Sequence, residues 1–235
     1  MKRILLILCL IVNTIQLSAQ DTTTDNNYVK LELNEFINVD IDAPVKLTLI
    51  KLEEGEKPYL EYNTHGYYTS KFTATIDSSK RELKISERID TKRESITDVK
   101  LYYSSLQRIC ISHADVSAKE TIKGQQLDIF VANESHFIAD VDVLDILVNI
   151  SGRCRAVITG NTLYHTAEIT TAQYDAAGLE SVSTVANVSH NGMAKVDAHE
   201  RLQATTSTGG TIYYVTEPVI LRTESSLFGG MISKM

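Results

Sequence analysis

Tryptophan is absent from the 235-residue sequence, and only three prolines and three cysteines occur. Without a linker rich in proline or glycine, the sequence has no point at which two domains would separate. Residues 28–235 are therefore predicted to form a single domain, which is long enough to bury a sizeable core.

Basic residues are also scarce, with 23 Lys and Arg against 30 Asp and Glu and a net charge of −7. Loss of residues 1–19, which contain Lys2 and Arg3, leaves 21 basic against 30 acidic residues and a net charge of −9. Such a surface repels phosphate backbones and anionic headgroups, and no cluster of basic residues offsets it. The sequence therefore argues against nucleic acid or an anionic membrane as a partner.

The amino terminus has the pattern of a secretory signal. Lys2–Arg3 precede the apolar run Ile4–Val12, which is too short to span a bilayer, and the small residue Ala19 offers a cleavage point. This predicts a signal peptide over residues 1–19, a flexible polar leader over residues 20–27, and an exported protein that is periplasmic, secreted or at the outer surface. An uncleaved N-terminal anchor is the alternative.

A sustained helical period is missing from the rest of the chain. Over residues 28–104 apolar residues instead alternate with polar ones, as in Val29–Leu33 and Val45–Lys51, which is typical of half-buried strands. Polar turns such as Glu53–Glu56 separate them. These N-terminal strands and hairpins are predicted to cap one end of the structure that follows, and no transmembrane segment is expected after the signal.

A repeat with a period of roughly twenty residues occupies residues 105–235. Each copy contains an apolar strand, a small polar corner, a second short strand and a polar or glycine turn. The corners are Ser112–Val116, Asn133–Phe137, Gly152–Ala156, Ala172–Ala176, Asn191–Lys195, Gly209–Tyr213 and, as a partial copy, Ser226–Gly230. A repeat of this length fits one coil of a β-helix, because a coil buries its apolar face only against its neighbours. The predicted fold is all-β, a right-handed parallel β-helix of about seven short coils, with a β-sandwich as the alternative.

Two segments carry a resemblance to a known family: Phe36–Leu49 (FINVDIDAPVKLTL) and Leu106–Val116 (LQRICISHADV). Together with the Ser151–Gly152 step of a later repeat, they resemble the putative auto-transporter adhesin, head GIN domain family. In the first repeat, His113 stands where the family has glycine. The resemblance implies a right-handed β-helix, an exported location and a function that is not assigned, and it supplies no catalytic residues.

Stacking the corners aligns Asp115, His136, Arg155 and Asp175 in one column of alternating charge. The functional interpretation is a polar groove for a glycan. The alternative is a solvated ladder of cross-strand pairs, each contributing about 0.2–1 kcal/mol. An acid/base pair of Asp115 and Asp175 is disfavoured, because three coils separate them by roughly 14 Å whereas glycosidase carboxylates lie about 5 to 9 Å apart. No catalytic residue is predicted.

Eleven tyrosines are present, several of them in doublets. One ring of each doublet is expected to face outward, and Tyr102 and Tyr214 are added to the candidate ligand face because an exposed phenol offers a flat apolar surface with a polar tip. The alternative is that these rings cover the ends or edges of a sheet. The sequence has no His/Cys set with metal-ligand spacing and no phosphate-binding loop, so neither a metal nor a cofactor is predicted.

Cys110 and Cys154 remain after the signal, and export would permit a disulfide between them. The repeat places them in different columns two coils apart, which is roughly 9.6 Å by strand spacing. A disulfide requires Cα atoms within about 7 Å. Two unpaired thiols are therefore predicted.

These features predict an exported, non-enzymatic binding protein of adhesin-like or scaffolding type, with a surface polysaccharide or a protein as partner. A carbohydrate-active enzyme and a structural subunit of a cell-envelope assembly are the alternatives. The short apolar segment Gly229–Met235 covers the last coil only thinly, so a homo-oligomer through that end is a further interpretation.

Overall fold

The computed structural model describes residues 28–65, 71–88, 95–226 and 228–235, and its regular structure consists of strands alone. The predicted signal peptide and leader lie outside these residues. The strands are β1 (Val29–Glu32), β2 (Asn38–Asp42), β3 (Val45–Lys51), β4 (Tyr59–Asn63), β5 (Phe72–Asp77), β6 (Glu82–Glu87), β7 (Thr97–Tyr103), β8 (Arg108–Ser112), β9 (Asp115–Ala118), β10 (Ile122–Ala132), β11 (His136–Ser151), β12 (Arg155–Thr170), β13 (Gln173–Ser189), β14 (Met193–Thr206), β15 (Thr211–Tyr214), β16 (Ile220–Ser225) and β17 (Met231–Lys234). Within the same residues, no helix is long and apolar enough to cross a membrane.

Parallel strands stack coil upon coil through the second half of the chain. Val131, Ile150, Ile169 and Val188 lie one above another on β10 to β13, and each is buried. Because the strands of successive coils pair in parallel, the backbone N–H and C=O groups of one coil form hydrogen bonds with those of the next. The chain thus forms a β-solenoid of about seven turns, which confirms the predicted all-β parallel β-helix.

The first coil does not lie at the end of the stack. Strand β2 pairs in parallel with β6 on one side and β8 on the other, so Ile41 lies between Ile85 and Ile111. Strand β3 likewise lies between β7 and β9, and Leu47 contacts Val99 on one side. The order of coils along the solenoid therefore differs from their order in the chain.

Antiparallel strands cover the amino-terminal end. Strand β4 pairs antiparallel with β7, β1 pairs antiparallel with β4, and β5 pairs antiparallel with β6. The Tyr59 and Tyr102 rings stack at this end with centroids 4.0 Å apart. The predicted cap is therefore formed by β1, β4 and β5, whereas the other N-terminal strands belong to coils.

Left-handed backbone residues occur at or directly beside six of the seven predicted polar corners, as expected for turns, whereas the described residues of the partial corner Ser226–Gly230 include none. Glycine takes this role at Gly152 and Gly209, with φ of 82° and 78°. Elsewhere the corners use residues that carry a Cβ: His113, Asn133, Glu134, Thr171, His190, Asn191 and Thr208. Asparagine tolerates this conformation well, whereas a β-branched residue such as threonine rarely adopts it.

Inside the coils, side chains alternate between the core and the surface along each strand. In β11 the buried residues Phe137, Ala139, Val141 and Val143 alternate with exposed ones. The inward residues of all coils form one continuous hydrophobic cluster. Burying each large aliphatic side chain contributes about 1.5–3 kcal/mol, so this cluster is the main stabilising feature of the fold.

Both cysteines in the described part of the chain are free, which confirms the prediction of unpaired thiols. Cys110 lies beside Phe130 on the neighbouring coil. Burial raises the pKa of the Cys110 thiol, and the nearby Asp40 carboxylate raises it further. The Cys154 sulfur faces inward at a corner, 3.4 Å from the backbone nitrogen of Ser135.

A row of polar side chains lies inside this core, around His165, which is 1% exposed. The Tyr174 hydroxyl lies 3.0 Å from His165 Nε2, and Thr184 Oγ1 lies 3.4 Å from His165 Nδ1. Thr184 Oγ1 in turn lies 2.6 Å from Ser181 Oγ, which is 2.7 Å from the carbonyl oxygen of Asp197. The buried polar atoms of this row therefore satisfy one another.

The carbonyl group at one end determines the direction of the hydrogen bonds from Ser181 as far as His165 Nδ1. Because a carbonyl only accepts, Ser181 donates to it and accepts from Thr184. Thr184 then accepts from His165 Nδ1–H. Burial lowers the pKa of His165 to about 4, so the histidine is neutral at pH 7 and its Nε2 accepts the Tyr174 hydroxyl proton.

Acid is expected to destabilise the fold through His165. Its pKa is about 4 in the fold against 6.5 ordinarily, so stabilisation that is complete above pH 6.5 is lost as the pH falls from 6.5 to 4. The slope is about 1.4 kcal/mol of unfolding free energy per pH unit. Unfolding midpoints measured from pH 7 to pH 4 should fall less steeply in His165→Gln than in the unchanged protein. Equal slopes would contradict the prediction.

Gly160 is expected to be irreplaceable even by alanine. Its φ is 113°, and a Cβ there would lie 2.0 Å from the carbonyl oxygen of Val141. Gly160→Ala should therefore lower the free energy of unfolding by about 2 kcal/mol or more, because it adds backbone strain to a steric clash. Denaturant unfolding measures this. Gly124→Ala is the control, because its added Cβ meets nothing closer than 3.8 Å.

Candidate functional site

Four charged side chains form a ladder on the outer face of the sheet that contains β3, β9, β11 and β12. Lys46 pairs in register with Asp115, Asp115 with His136, and His136 with Arg155. They project outward because each is one residue away from a buried position of its strand. The structure thus brings together three of the residues predicted from sequence and adds Lys46.

Beside this charged ladder lies an apolar strip two residues further along the strands. Ile138 and Val157 form it in register, with the polar Ser117 next to Ile138 on the other side, and Ile138 is 56% exposed. The charged ladder and the apolar strip together line a depression of about 550 Å³, named here the sheet-face groove. Its volume and its mixture of apolar surface with a few polar groups are typical of ligand sites.

The centre of the charged ladder is a contact at hydrogen-bond distance. His136 Nδ1 lies 2.7 Å from Asp115 Oδ1, and the two side chains are 58% and 55% exposed. A pair this exposed contributes little to stability, because water screens it. The outer members of the ladder, Lys46 and Arg155, place positive charge at either side of it.

Asp175 does not belong to the charged ladder, which corrects the sequence alignment. Arg155 pairs in register with Gln173, whereas Asp175 pairs with Val157 and Lys195. The coil from Arg155 to Gln173 has eighteen residues, two fewer than the alignment assumed. A shift of two preserves the alternation between core and surface, so the hydrophobic pattern could not reveal it.

Asp175 is held in its ionised form. Partial burial on its own raises the pKa of the carboxyl, but the hydrogen bond from Lys195 Nζ at 2.7 Å opposes it. The backbone nitrogen of Ala177 and the charge of Arg155 act in the same direction as Lys195, so the pKa lies below its ordinary value. A carboxylate in this state is a poor general acid.

The two predicted tyrosines do not join the sheet-face groove. Tyr214 is only 8% exposed and faces the core, so its placement on the ligand face is wrong; its outward neighbour in the doublet is Tyr213. Tyr102 does face outward, but its ring stacks on Tyr59 at the capped end. Burial, together with the nearby Glu61 carboxylate, raises the pKa of Tyr102 to about 12. The alternative role of covering a sheet end therefore describes Tyr102 better.

A carboxyl group with a raised pKa occurs elsewhere, on β2. Burial raises the pKa of Asp40, and the Glu82 carboxylate raises it further, whereas Lys84 lowers it. Asp40 does not line the sheet-face groove. A carbohydrate-active enzyme would have a carboxyl group of raised pKa inside its binding groove. Here the carboxyl group of raised pKa, Asp40, lies outside the sheet-face groove. No cluster of three potential metal ligands occurs among residues 28–65, 71–88, 95–226 and 228–235.

A second depression, of about 760 Å³, runs along a corner of the solenoid and was missed by the sequence reasoning. Three exposed aliphatic side chains line it, Leu144, Leu163 and Val182, exposed by 45%, 42% and 41%. They are spaced nineteen residues apart in the chain, one per coil. That regular spacing of apolar residues outside the strand alternation is the signal that could have identified this corner groove.

The sequence profile of the family described as "Putative auto-transporter adhesin, head GIN domain" matches residues 35–218. The chain belongs to this family. The match begins just before β2 and ends before β16, so the head GIN region includes the coils that carry both grooves. The resemblance seen in the sequence is thereby confirmed.

Solved structures share the head GIN fold with this chain. A putative adhesin from Bacteroides fragilis has 15% sequence identity and a TM-score of 0.81, over 88% of this chain and 96% of that one. A putative adhesin from Parabacteroides merdae has 16% identity and a TM-score of 0.69, over 88% and 95%. A protein from Parabacteroides distasonis described as a putative lipid binding protein has 14% identity and a TM-score of 0.66, over 90% and 98%. Such low identities show a common fold alone, and no curated protein matches the sequence.

Replacing Lys195 is expected to raise the pKa of Asp175. Lys195→Met removes the strongest group that holds the carboxylate ionised, so partial burial then acts against fewer opposing contacts. A carbon-detected NMR titration of the Asp175 carboxyl measures the shift. Lys123→Met, on a distant corner beside Asp142, is the matched control and should leave Asp175 unchanged. An unchanged pKa in Lys195→Met would show that Lys195 does not determine it.

Proposed function

We propose that this head GIN protein is an exported, non-enzymatic binding protein, adhesin-like in function, and that the sheet-face groove holds its ligand. The observation that supports this most strongly is the adjacency of the charged ladder to the exposed strip around Ile138. An aliphatic side chain left uncovered beside ordered charges on a flat sheet contributes nothing to the core. It suits contact with a partner.

The chemistry of the groove favours a cell-surface polysaccharide, with a protein as the alternative partner. Lys46 and Arg155 outnumber Asp115, the one carboxylate that lines the groove among the described residues, so the groove is locally positive on an acidic protein. Arginine binds carboxylates through two parallel hydrogen bonds, and the other ladder groups can exchange hydrogen bonds with hydroxyls. Ile138 and Val157 offer an apolar surface to the C–H groups of a sugar ring.

A binding role is favoured over catalysis because Asp115 is the only carboxylate that lines the groove in the described part of the chain. Glycosidases require two carboxyl groups about 5 to 9 Å apart. The other carboxylate predicted from sequence, Asp175, lies three coils away from Asp115, at roughly 14 Å by strand spacing. The hydrogen bond from Lys195 also lowers the pKa of the Asp175 carboxyl group and so favours its ionised form.

Export is proposed from the amino-terminal sequence, with the mature protein in the periplasm or at the outer surface. One continuous core links the coils from Phe36 to Tyr214, which supports a single domain over residues 28–235. These features are compatible with an adhesin-like protein that presents one face of a rigid rod.

A second candidate function is binding of an acyl chain in the corner groove. The uncovered row of Leu144, Leu163 and Val182 favours it, and one protein of the same fold is described as a putative lipid binding protein. The charged flanks Asp142 and Glu180 set this groove apart from a fully apolar lipid pocket.

The deciding experiment screens the purified protein on an array of bacterial surface polysaccharides and host mucin glycans, with an assay for released reducing ends. Saturable binding without cleavage is expected. Ile138→Asn should weaken it about tenfold or more, because it removes the apolar contact of the groove without touching the core.

Leu163→Asn is the matched control, since it replaces another exposed aliphatic residue, which lies in the corner groove. If Leu163→Asn lost binding and Ile138→Asn did not, the ligand site would be the corner groove and not the sheet-face groove. Release of reducing ends would contradict the non-enzymatic proposal.

A further inference from the structure

Strand β16 forms an open edge at the carboxyl-terminal end of the solenoid. It pairs with β14 along one side, and no other strand pairs with it in the part of the chain that the structure describes. All six of its residues are exposed. Apolar side chains flank it, with Val219 at 75% and Phe228 at 82% exposure. An open strand edge among exposed apolar groups is a template for pairing with another chain.

The backbone groups that face outward from this edge can be identified. The Ser226 nitrogen donates to the Thr206 carbonyl oxygen on β14. Because backbone groups alternate along a strand, the even-numbered residues of β16 face β14. The N–H and C=O groups of Leu221, Thr223 and Ser225 therefore point to the open edge.

The sequence of β16 is self-complementary in charge about Thr223. In an antiparallel pair of two copies, the outward-facing odd residues must lie opposite odd residues, which leaves three central registers. Centring on residue 222 places Arg222 opposite Arg222 of the second copy, and centring on residue 224 places Glu224 opposite itself. Centring on Thr223 places each Arg222 opposite Glu224 of the other copy. Opposite charges directly across a pair stabilise it, and like charges destabilise it.

We infer that two copies of this chain associate through β16 in an antiparallel pair centred on Thr223. The pair has two-fold symmetry, with the same surface used by both copies. It joins the two sheets into one and brings Leu221, 37% exposed in the single chain, toward the interior of the joined stack. The inference does not depend on the proposed function, because the sheet-face groove lies several coils away. A dimer would present two such grooves on one rod, which raises avidity for a polymer.

Sedimentation velocity over a range of concentrations tests the inference. The purified protein should dimerise reversibly. Arg222→Glu should weaken dimerisation about tenfold or more, because it places two like-charged pairs across the strands. The double variant Arg222→Glu/Glu224→Arg should restore it, since the charges are again opposite. Arg201→Glu is the matched control on the neighbouring coil and should dimerise as the unchanged protein does.

Cysteine substitution determines the register independently. In the inferred dimer, Thr223 of one copy lies opposite Thr223 of the other as a hydrogen-bonded pair, with Cα atoms about 5.5 Å apart. This separation is within the range for a disulfide. Thr223→Cys should therefore form a covalent dimer on mild oxidation, whereas Arg222→Cys and Glu224→Cys should not. A monomer at all concentrations, a charge reversal that is not rescued by the double variant, or crosslinking at 222 or 224 in place of 223 would each overturn the inference.

Discussion

The parallel pairing of each coil with its neighbours is the interaction on which the rest of the structure depends. A single coil on its own leaves both edges of its strands unpaired and its apolar side chains uncovered, so it has no stability of its own. Stacking pairs the backbone hydrogen-bonding groups and at the same time buries the inward side chains, as in the ladder formed by Val131, Ile150, Ile169 and Val188. The corners serve this pairing, because their left-handed residues return each strand to register with the strand below.

This arrangement separates stability from recognition. Inward residues are constrained by the coils above and below, whereas outward residues of the same strands carry almost no packing role. Phe137 is buried, and its neighbours His136 and Ile138 are exposed and line a groove. A solenoid can therefore change what its face binds without altering its core, and members of one family need share little beyond their inward positions. The low identities among proteins of this fold agree with that separation.

Much of the fold was predictable from sequence, and part of the site was not. Alternating residues revealed the strands, polar corners revealed the coils, and cysteine spacing excluded a disulfide. The position of Asp175 was missed, because a two-residue change in coil length leaves the inside–outside pattern intact. The orientation of Tyr214 was missed because a doublet of tyrosines does not show which ring faces inward. The corner groove was not predicted, because Leu144, Leu163 and Val182 fit the general apolar pattern of the strands, although they recur at a fixed interval of nineteen residues.

The interleaved first coil has a consequence for the order in which the protein takes shape. Strand β2 is the first coil strand in the chain, yet both of its neighbours, β6 and β8, come later. During synthesis from the amino end, about seventy further residues, from Asp42 to Ser112, must therefore be made before a strand can pair with the second edge of β2. Strand β12 gains its first neighbour from residues already present. Covering β2 thus requires long-range pairing, whereas β12 pairs with residues already present, so the early segment is the one that most needs shielding during synthesis.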